Sequence, residues 1–177
     1  MKQRLRSVLI VSSLALLAAG VSRAQPAPAA NPLDVVPDKM PFDIPYGAPI
    51  TLERAEAAIA AAVAEAKKHD WKLCVALVDS GANLVAFQRM DGTQLGSIQV
   101  SEHKARAAAI YRRETKAFET AITQQGNMAV TTLDGMIGTR GGMLLIEGGK
   151  IIGAIGCSGG TSSQDEVACK AGVATVK

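Results

Sequence analysis

The stretch between residues 153 and 166 joins an apolar strand to a glycine turn and a polar helix start. Gly159 and Gly160 permit backbone dihedrals that a Cβ atom would forbid, and Thr161 is a typical helix-capping residue. Such a junction directs several backbone N–H groups at one point, which suits a carboxylate or another anion. We therefore predict an anion site here; the alternative is an ordinary capped helix start. Its candidate ligand-binding residues are Ser158, Gly159, Gly160, Thr161 and Gln164.

The cysteines, which could also carry out chemistry, form a weaker pattern. Cys74, Cys157 and Cys169 form no C-x-x-C motif. In an oxidising compartment one pair could be bridged, with Cys157 and Cys169 the nearer in sequence. Cys74 is expected to be a buried small hydrophobe. Alternatively, Cys157 could be a reactive thiol, because a helix N-terminus lowers a thiol pKa.

Catalytic signatures are not recognisable in the sequence. It contains no Ser-His-Asp spacing, zinc signature or nucleotide-binding loop. Asp79 and Asp91 suit turns, and Asp165 and Glu166 suit the first turn of a helix. We therefore assign no catalytic residue and do not expect an enzyme from local sequence.

The first 24 residues predict a signal peptide. Three basic residues precede an apolar run from Ser7 to Val21, and Ser22-Arg23-Ala24 is a small-x-small cleavage site. The apolar run is short for a bilayer span, so we expect an exported chain, periplasmic or secreted, without a membrane span after cleavage. Without this segment 15 basic residues remain against 16 acidic, a net charge of −1. The mature chain therefore lacks the basic patch that nucleic-acid binding requires.

Residues 25–50 predict a separate extended arm. All seven prolines of the chain lie there, and proline fixes φ and removes a hydrogen-bond donor. In an extended chain Met40, Phe42, Ile44 and Tyr46 would lie on one face. We expect this face to dock on the rest of the chain or on a neighbour.

Residues 51–177 suffice for one domain with a single core. Apolar spacing predicts four helices, over about 52–68, 97–112, 115–124 and 163–173. Short apolar runs around turns predict two hairpins, over about 73–90 and 143–155. Five glycines between residues 126 and 142 predict loops with one short strand at most. This order predicts an α+β domain with a mainly antiparallel sheet.

The domain also resembles a known family, the GlcG/HbpS family of small, often secreted proteins associated with haem binding. The motifs are DSGANLVAFQRMDG at 79–92, GSI at 96–98, KA at 104–105, GG at 141–142, and GAIG, SGGT and QDE within 153–166. The family is related to the C-terminal domain of PduO-type cobalamin adenosyltransferases. The resemblance implies a profilin-like fold, a five-stranded antiparallel sheet in order 2-1-5-4-3 flanked by helices. It also implies haem as a ligand and assembly into a homo-oligomer.

That implied strand order brings two loops together. Strands 2 and 5 would both run antiparallel to strand 1, so the loops at 91–97 and 157–163 would lie at one end of the sheet, each before a helix. Two positive helix ends with basic side chains nearby would favour a propionate or a small carboxylate. The candidate residues added by this argument are Arg89, Asp91, Ser97, Lys104 and Arg106.

The chain has two histidines, and neutral imidazole is a good ligand of haem iron. His103 lies at the start of a predicted helix, beside the proposed site, and is our candidate ligand; the alternative is a surface histidine. His69 suits a solvated helix end. Met90, Met128, Met136 and Met143 are soft donors, although methionine is more often core filler. Aromatic residues make up 3% of the chain, so we expect a shallow or intersubunit haem site.

The sequence thus predicts an exported small-molecule-binding protein that senses, stores or handles haem or a similar anion. An enzyme acting on a small carboxylate or aromatic substrate is one alternative. An accessory protein that engages a partner through the proline-rich arm is another.

Overall fold

The computed structural model describes Asn31 and residues 34–176. The predicted signal peptide and the first part of the arm lie outside the described residues. Three helices α1–α3, a 3₁₀ helix, four strands β1–β4 and a last helix α4 follow the arm. Their bounds are α1 Leu52–Lys68, β1 Cys74–Asp79, β2 Leu84–Arg89, α2 Gly96–Tyr111, α3 Lys116–Thr123, the 3₁₀ helix Met128–Thr132, β3 Gly142–Glu147, β4 Lys150–Ser158 and α4 Ser162–Val173. The α+β prediction is therefore confirmed.

The sheet of the described residues has four antiparallel strands in the order β2-β1-β4-β3. The implied fifth strand is wrong. The segment before β3 contains Gly126, Gly135 and Gly141 at positive φ, which interrupts an extended chain. In addition, the N–H of Gly142 donates to Thr115 Oγ1 at 2.9 Å and its C=O accepts from the N–H of Thr115 at 3.0 Å. Thr115 thus occupies the start of the β3 edge, where a fifth strand would pair.

Helices cover both faces of the sheet. Helices α1 and α4 pack on one face, against Val75, Leu77 and Ile155. Helix α2 packs on the other face, against Ala76, Val78 and other small apolar residues. The helix approaches unusually closely, because a Cβ on Gly156 would lie 2.1 Å from the carbonyl oxygen of Ser101. The paired glycines of β3 and β4 therefore fix the position of α2 and of every side chain it holds.

The described part of the arm docks on the domain. The N–H of Ile151 donates to Pro45 O at 2.8 Å, and Gly47 donates back to Ile151 O at 2.7 Å. Tyr46 places its hydroxyl 2.9 Å from Ala109 O at the end of α2. The predicted single apolar face is wrong, because Phe42 has a φ of 61° and Met40 is exposed. The arm is held by backbone hydrogen bonds to Ile151 of β4, beyond the point where β1 ends, rather than by a regular apolar stripe.

Candidate functional site

One end of the sheet gathers the predicted site segments. In the register Cys74 of β1 pairs with Arg89 of β2 on one side and with Ser158 of β4 on the other. The strand ends that precede the two predicted loops therefore flank the start of β1. Ser97 lies in the first turn of α2. Its hydroxyl oxygen is 3.2 Å from that of Ser158, and both residues are buried. Ser97 does not cap α2, because the N-cap position is Leu95.

We call residues 158–165 together with Lys104 the α4 junction. Its donors are bonded within the chain. Thr161 and Gln164 form a capping box: Gln164 N–H donates to Thr161 Oγ1 at 3.3 Å and Thr161 N–H donates to Gln164 Oε1 at 2.8 Å. The N–H of Gly160 donates to Asp165 Oδ1 at 3.1 Å. The N–H groups predicted to bind a ligand thus already have acceptors, as in the alternative of a capped helix start.

A buried ion pair completes the α4 junction. Lys104 Nζ lies 2.7 Å from Asp165 Oδ2 and donates to Cys157 O at 3.0 Å. Only 1% of the Lys104 side chain and 3% of the Asp165 side chain are exposed. Burial raises the pKa of the Asp165 carboxyl, while Lys104 opposes that rise. Lys104, predicted to face a ligand, therefore neutralises a carboxylate of the chain itself.

A disulfide ties the same junction together. Cys157 and Cys169 are bonded, with their Cα atoms 5.8 Å apart, and both are fully buried. The bridge joins the end of β4 to the middle of α4, so the alternative of a reactive Cys157 thiol is wrong. Cys74 is free and buried, and burial raises the pKa of its thiol. The described cysteines are therefore structural rather than reactive.

An open cleft lies on the α1 side of the same sheet end. We call it the Trp71 cleft; its cavity volume is about 350 Å³. Its lining residues are Val63, Lys67, Asp70, Trp71, Lys72, Gln88, Arg89, Met90 and Asp91. Arg89 and Asp91 are the predicted site residues that line it. An apolar wall and a basic rim thus meet in one concave surface.

The end of α1 explains how Trp71 reaches the cleft. Asp70 has a φ of 57°, and its N–H donates to Lys67 O at 3.3 Å. The N–H of Trp71 donates to Ala66 O at 3.0 Å. These two bonds form a Schellman motif, which reverses the chain after a helix. The reversal places the Trp71 ring over the end of α1, against the main core.

His69 lies beside this cleft, stacked on Trp71. The ring centroids are 4.4 Å apart, with an interplanar angle of 19°. His69 Nε2 lies 3.3 Å from Glu65 Oε1, and its Nδ1 has no hydrogen-bond partner among the described residues. His103 and Arg106 are exposed on α2, the helix on the opposite face of the sheet. The structure thus places His69, not His103, near a concave surface.

Sequence reasoning missed Trp71, Lys67, Lys72 and the position of His69. A signal was present: the only tryptophan of the chain lies in the run KKHDWK at 67–72. An aromatic residue flanked by cations is a pattern typical of planar anion recognition. The interpretation of this run as a solvated helix end ignored that a Schellman reversal folds it back.

Similarity to known proteins agrees with this fold. Residues 50–174 match the family described as HbpS-like, haem degrading protein. The chain therefore belongs to the HbpS-like family. It is 38% identical to protein GlcG of Escherichia coli strain K12 over 109 residues, which are 62% of this chain and 81% of that protein.

Solved structures are similar over most of their length. A double mutant of Streptomyces reticuli HbpS is 26% identical with a TM-score of 0.68, over 85% of this chain and 99% of that one. PduOC, solved as a haem complex, is 21% identical with a TM-score of 0.66, over 73% of this chain and 96% of that one. The latter likeness concerns the fold alone.

No group of three or more His, Cys, Asp or Glu side chains within residues 34–176 is arranged to hold a metal ion. Within the same range, none of the helices combines the length and apolar character needed to cross a bilayer.

Proposed function

We propose that this protein binds haem, with the Trp71 cleft holding part of the macrocycle. The observation that supports this site is an apolar wall, formed by Val63, Trp71 and Met90, next to three cationic side chains. Haem has the same division, because its porphyrin is apolar and its propionates are anionic. Membership of the HbpS-like family supports the choice of ligand.

The lining residues fit an amphipathic dianion. Lys67, Lys72 and Arg89 outnumber Asp70 and Asp91, so the rim carries a net positive charge. Arg89 forms no ion pair with any described residue, which leaves its guanidinium available for a propionate. Lys72 is held by Asp70 and would contribute less. Haem, when bound, would supply a redox-active iron.

The cleft is small for a complete tetrapyrrole. A volume of about 350 Å³ is near the lower end for small-molecule sites. The cleft would therefore cover one edge of the macrocycle and leave the rest for solvent or a neighbouring subunit. This agrees with the expectation of a shallow or intersubunit site, and we propose a homo-oligomer as the assembly that completes it.

We propose that His69, stacked on Trp71 beside this cleft, would bind the haem iron. Neutral imidazole is a common ligand of haem iron, and Glu65 beside Nε2 would orient the ring. Met90 is a second candidate donor because it lines the cleft. His103, our candidate from the sequence, would require a site on α2 on the other face of the sheet.

Haemin titration of the haem-free protein tests the proposal. We expect a saturable, shifted Soret band. His69→Ala should change the band, whereas His103→Ala should leave it unchanged. A spectrum of free or aggregated haemin would disprove haem binding. An effect of His103→Ala alone would move the site to α2.

We also propose that the protein is exported. The pattern of residues 1–24 supports a cleaved signal peptide, and a disulfide between Cys157 and Cys169 suits an oxidising compartment. Mass spectrometry of the protein from a periplasmic fraction should give a mature chain beginning at Gln25. A full-length chain confined to the cytoplasm would contradict export.

A further inference from the structure

The outer edge of β3 is open beyond its first residue. At that residue Thr115 bonds both the N–H and the C=O of Gly142 from outside the sheet. Alternate residues of an antiparallel strand direct their backbone groups to the same side, so Leu144 and Ile146 also direct theirs away from β4. Consistently, Ile151, which opposes Ile146 in the register, bonds the arm instead of β3. None of the described residues bonds the outward N–H and C=O groups of Leu144 and Ile146.

An apolar groove of about 430 Å³ runs along this open edge. We call it the β3 groove. Its apolar walls include Ile44 of the arm, Leu144 and Ile146 of β3, and Val173 of α4. Ile146 is 38% exposed, and the groove shares no lining residue with the Trp71 cleft. An unpaired strand edge beside an apolar groove is an arrangement that binds an extended segment as an added strand.

The arm carries an exposed apolar segment before its docked part. Val35 is 74% exposed and Val36 is 87% exposed. Residues 34–40 make no hydrogen bond to the described residues of the domain. Phe42, whose φ of 61° bends the chain, separates this segment from the docked part. Two neighbouring β-branched side chains, which suit a strand, are therefore left in solvent, although their burial would be favourable.

The charges of the groove and of the arm segment are complementary. Two arginines, Arg112 and Arg113, and one glutamate line the β3 groove, which gives a net charge of +1. Two aspartates and one lysine lie within residues 34–40, which gives a net charge of −1. The Arg113 guanidinium carbon lies 3.5 Å from the centroid of the Phe42 ring, and Arg113 forms no ion pair with a described residue. An aspartate beside the two valines would therefore meet an unpaired cation in the groove.

We propose that the β3 groove binds residues 34–38 of the arm of a second copy of this chain. The segment adds a short strand beside Ile146, its valines fill the groove, and an aspartate pairs with Arg113. Pro37 lacks an N–H group, which an edge strand tolerates. Exchange of an identical segment between copies is a low-cost route to a homo-oligomer. The homo-oligomer proposed above would then form through this contact, which itself requires no haem.

Disulfide crosslinking tests whether the arm of one copy reaches the groove of another. Val35→Cys or Val36→Cys in one chain and Ile146→Cys in a second, differently tagged chain would be produced together and oxidised without haem. We expect a crosslinked pair that carries both tags. The native cysteines do not interfere, because two are bridged and the third is buried. Leu84→Cys, on the β2 edge and 44% exposed, is the matched control for Ile146→Cys and should give far less of this product.

Sedimentation of the haem-free protein tests how much the contact contributes to self-association. Val35→Ser/Val36→Ser should raise the dissociation constant about tenfold or more, because two apolar side chains lose their burial. Ile146→Ser should also weaken association, whereas Leu84→Ser should leave it unchanged. Combining the arm and groove substitutions should add little to the effect of the arm substitutions, because both remove the same contact.

Three results would overturn the proposal. The first is a yield of the two-tag product no higher than that of the Leu84→Cys control. The second is a crosslink that forms only when both cysteines are in one chain, which would show that the arm docks on its own domain. The third is unchanged association of Val35→Ser/Val36→Ser. If the Ile146 variants fail to fold, as judged by circular dichroism, the exposed arm variants decide alone. Each result leaves the haemin titration unaffected, so a failure here is distinguishable from a failure of haem binding.

Discussion

At the α4 junction the cation and the N–H donors bind acceptors of the chain itself, whereas at the Trp71 cleft the cations reach solvent. Both regions lie at the same end of the sheet, on either side of Cys74. Lys104 and Asp165 are almost completely buried, while Lys67, Lys72 and Arg89 are exposed. The same residue types therefore stabilise the fold in one region and remain available for a ligand in the other.

This difference shows that burial, not residue type, separates a structural anion site from a binding site. A buried lysine needs a permanent counter-charge, because an unpaired ion in the interior is costly. Asp165 supplies that charge from the first turn of α4, where it also accepts the N–H of Gly160. Substitutions at the α4 junction should therefore change stability, and substitutions at the Trp71 cleft should change ligand affinity.

Lys104→Met should have the largest effect on stability. The substitution keeps most of the length of the side chain but leaves Asp165 buried without its cation. Removing one partner of a buried ion pair costs about 3–5 kcal/mol. Urea unfolding followed by circular dichroism would measure the loss.

The double variant Lys104→Met/Asp165→Asn separates charge from packing. Asparagine keeps an acceptor for the N–H of Gly160 without a charge, so the double variant should recover more than half of the lost stability. Arg54→Met breaks the exposed ion pair with Glu147 and is the matched control, expected to be far milder. A cost of Lys104→Met no greater than that of Arg54→Met would contradict the distinction between the two regions.

Removing the disulfide should have the next largest effect. The bridge between Cys157 and Cys169 closes a short loop, with a sequence separation of 12 residues. A loop of about this size gives about 2–4 kcal/mol of stability. The variant Cys157→Ala/Cys169→Ala should unfold at correspondingly lower urea while keeping the haemin affinity of the native protein. A selective loss of haemin binding by the folded variant would show that the α4 junction does contact the ligand.

Much of the architecture was predictable from the sequence. Helix α1 follows from its apolar spacing after Thr51, and the hairpins follow from short apolar runs around turns such as Glu147-Gly148-Gly149-Lys150. The meeting of Arg89 and Ser158 at one sheet end follows from the strand order that the family resemblance implied. The helices and the hairpins could be predicted because each is formed by residues that are close in sequence.

The hydrogen-bond partners of Lys104 and of the N–H groups at the α4 junction could not be predicted in the same way. Nothing in the sequence near Gly160 states that Lys104, over fifty residues away, reaches Asp165. That contact depends on the close packing of α2, which Gly142 and Gly156 permit. The Trp71 cleft was missed because a left-handed Asp70 redirects the chain, and aspartate only occasionally adopts that conformation. Both features arise from tertiary packing or from a single dihedral choice.

Thr161→Ala tests the cap itself. The substitution removes the side-chain acceptor for the N–H of Gln164, and such losses cost about 1 kcal/mol. The haemin affinity should be the same as in the native protein, because the cap is satisfied within the chain. A Thr161→Ala variant of native stability with weakened haemin binding would identify Thr161 as a ligand contact, as the sequence first suggested.

Arg89→Gln should have the smallest effect of these substitutions, and it tests the Trp71 cleft. Arg89 is exposed and forms no ion pair among the described residues, so its loss should leave the urea midpoint close to that of the native protein. Haemin should bind about two- to fivefold more weakly, because an exposed ion pair contributes up to about 1 kcal/mol. The difference should shrink as salt is raised, since screening weakens exposed charges. Gln88→Ala, one residue earlier on the same cleft, is the uncharged control; a salt-sensitive loss there, or none in Arg89→Gln, would place the propionates elsewhere.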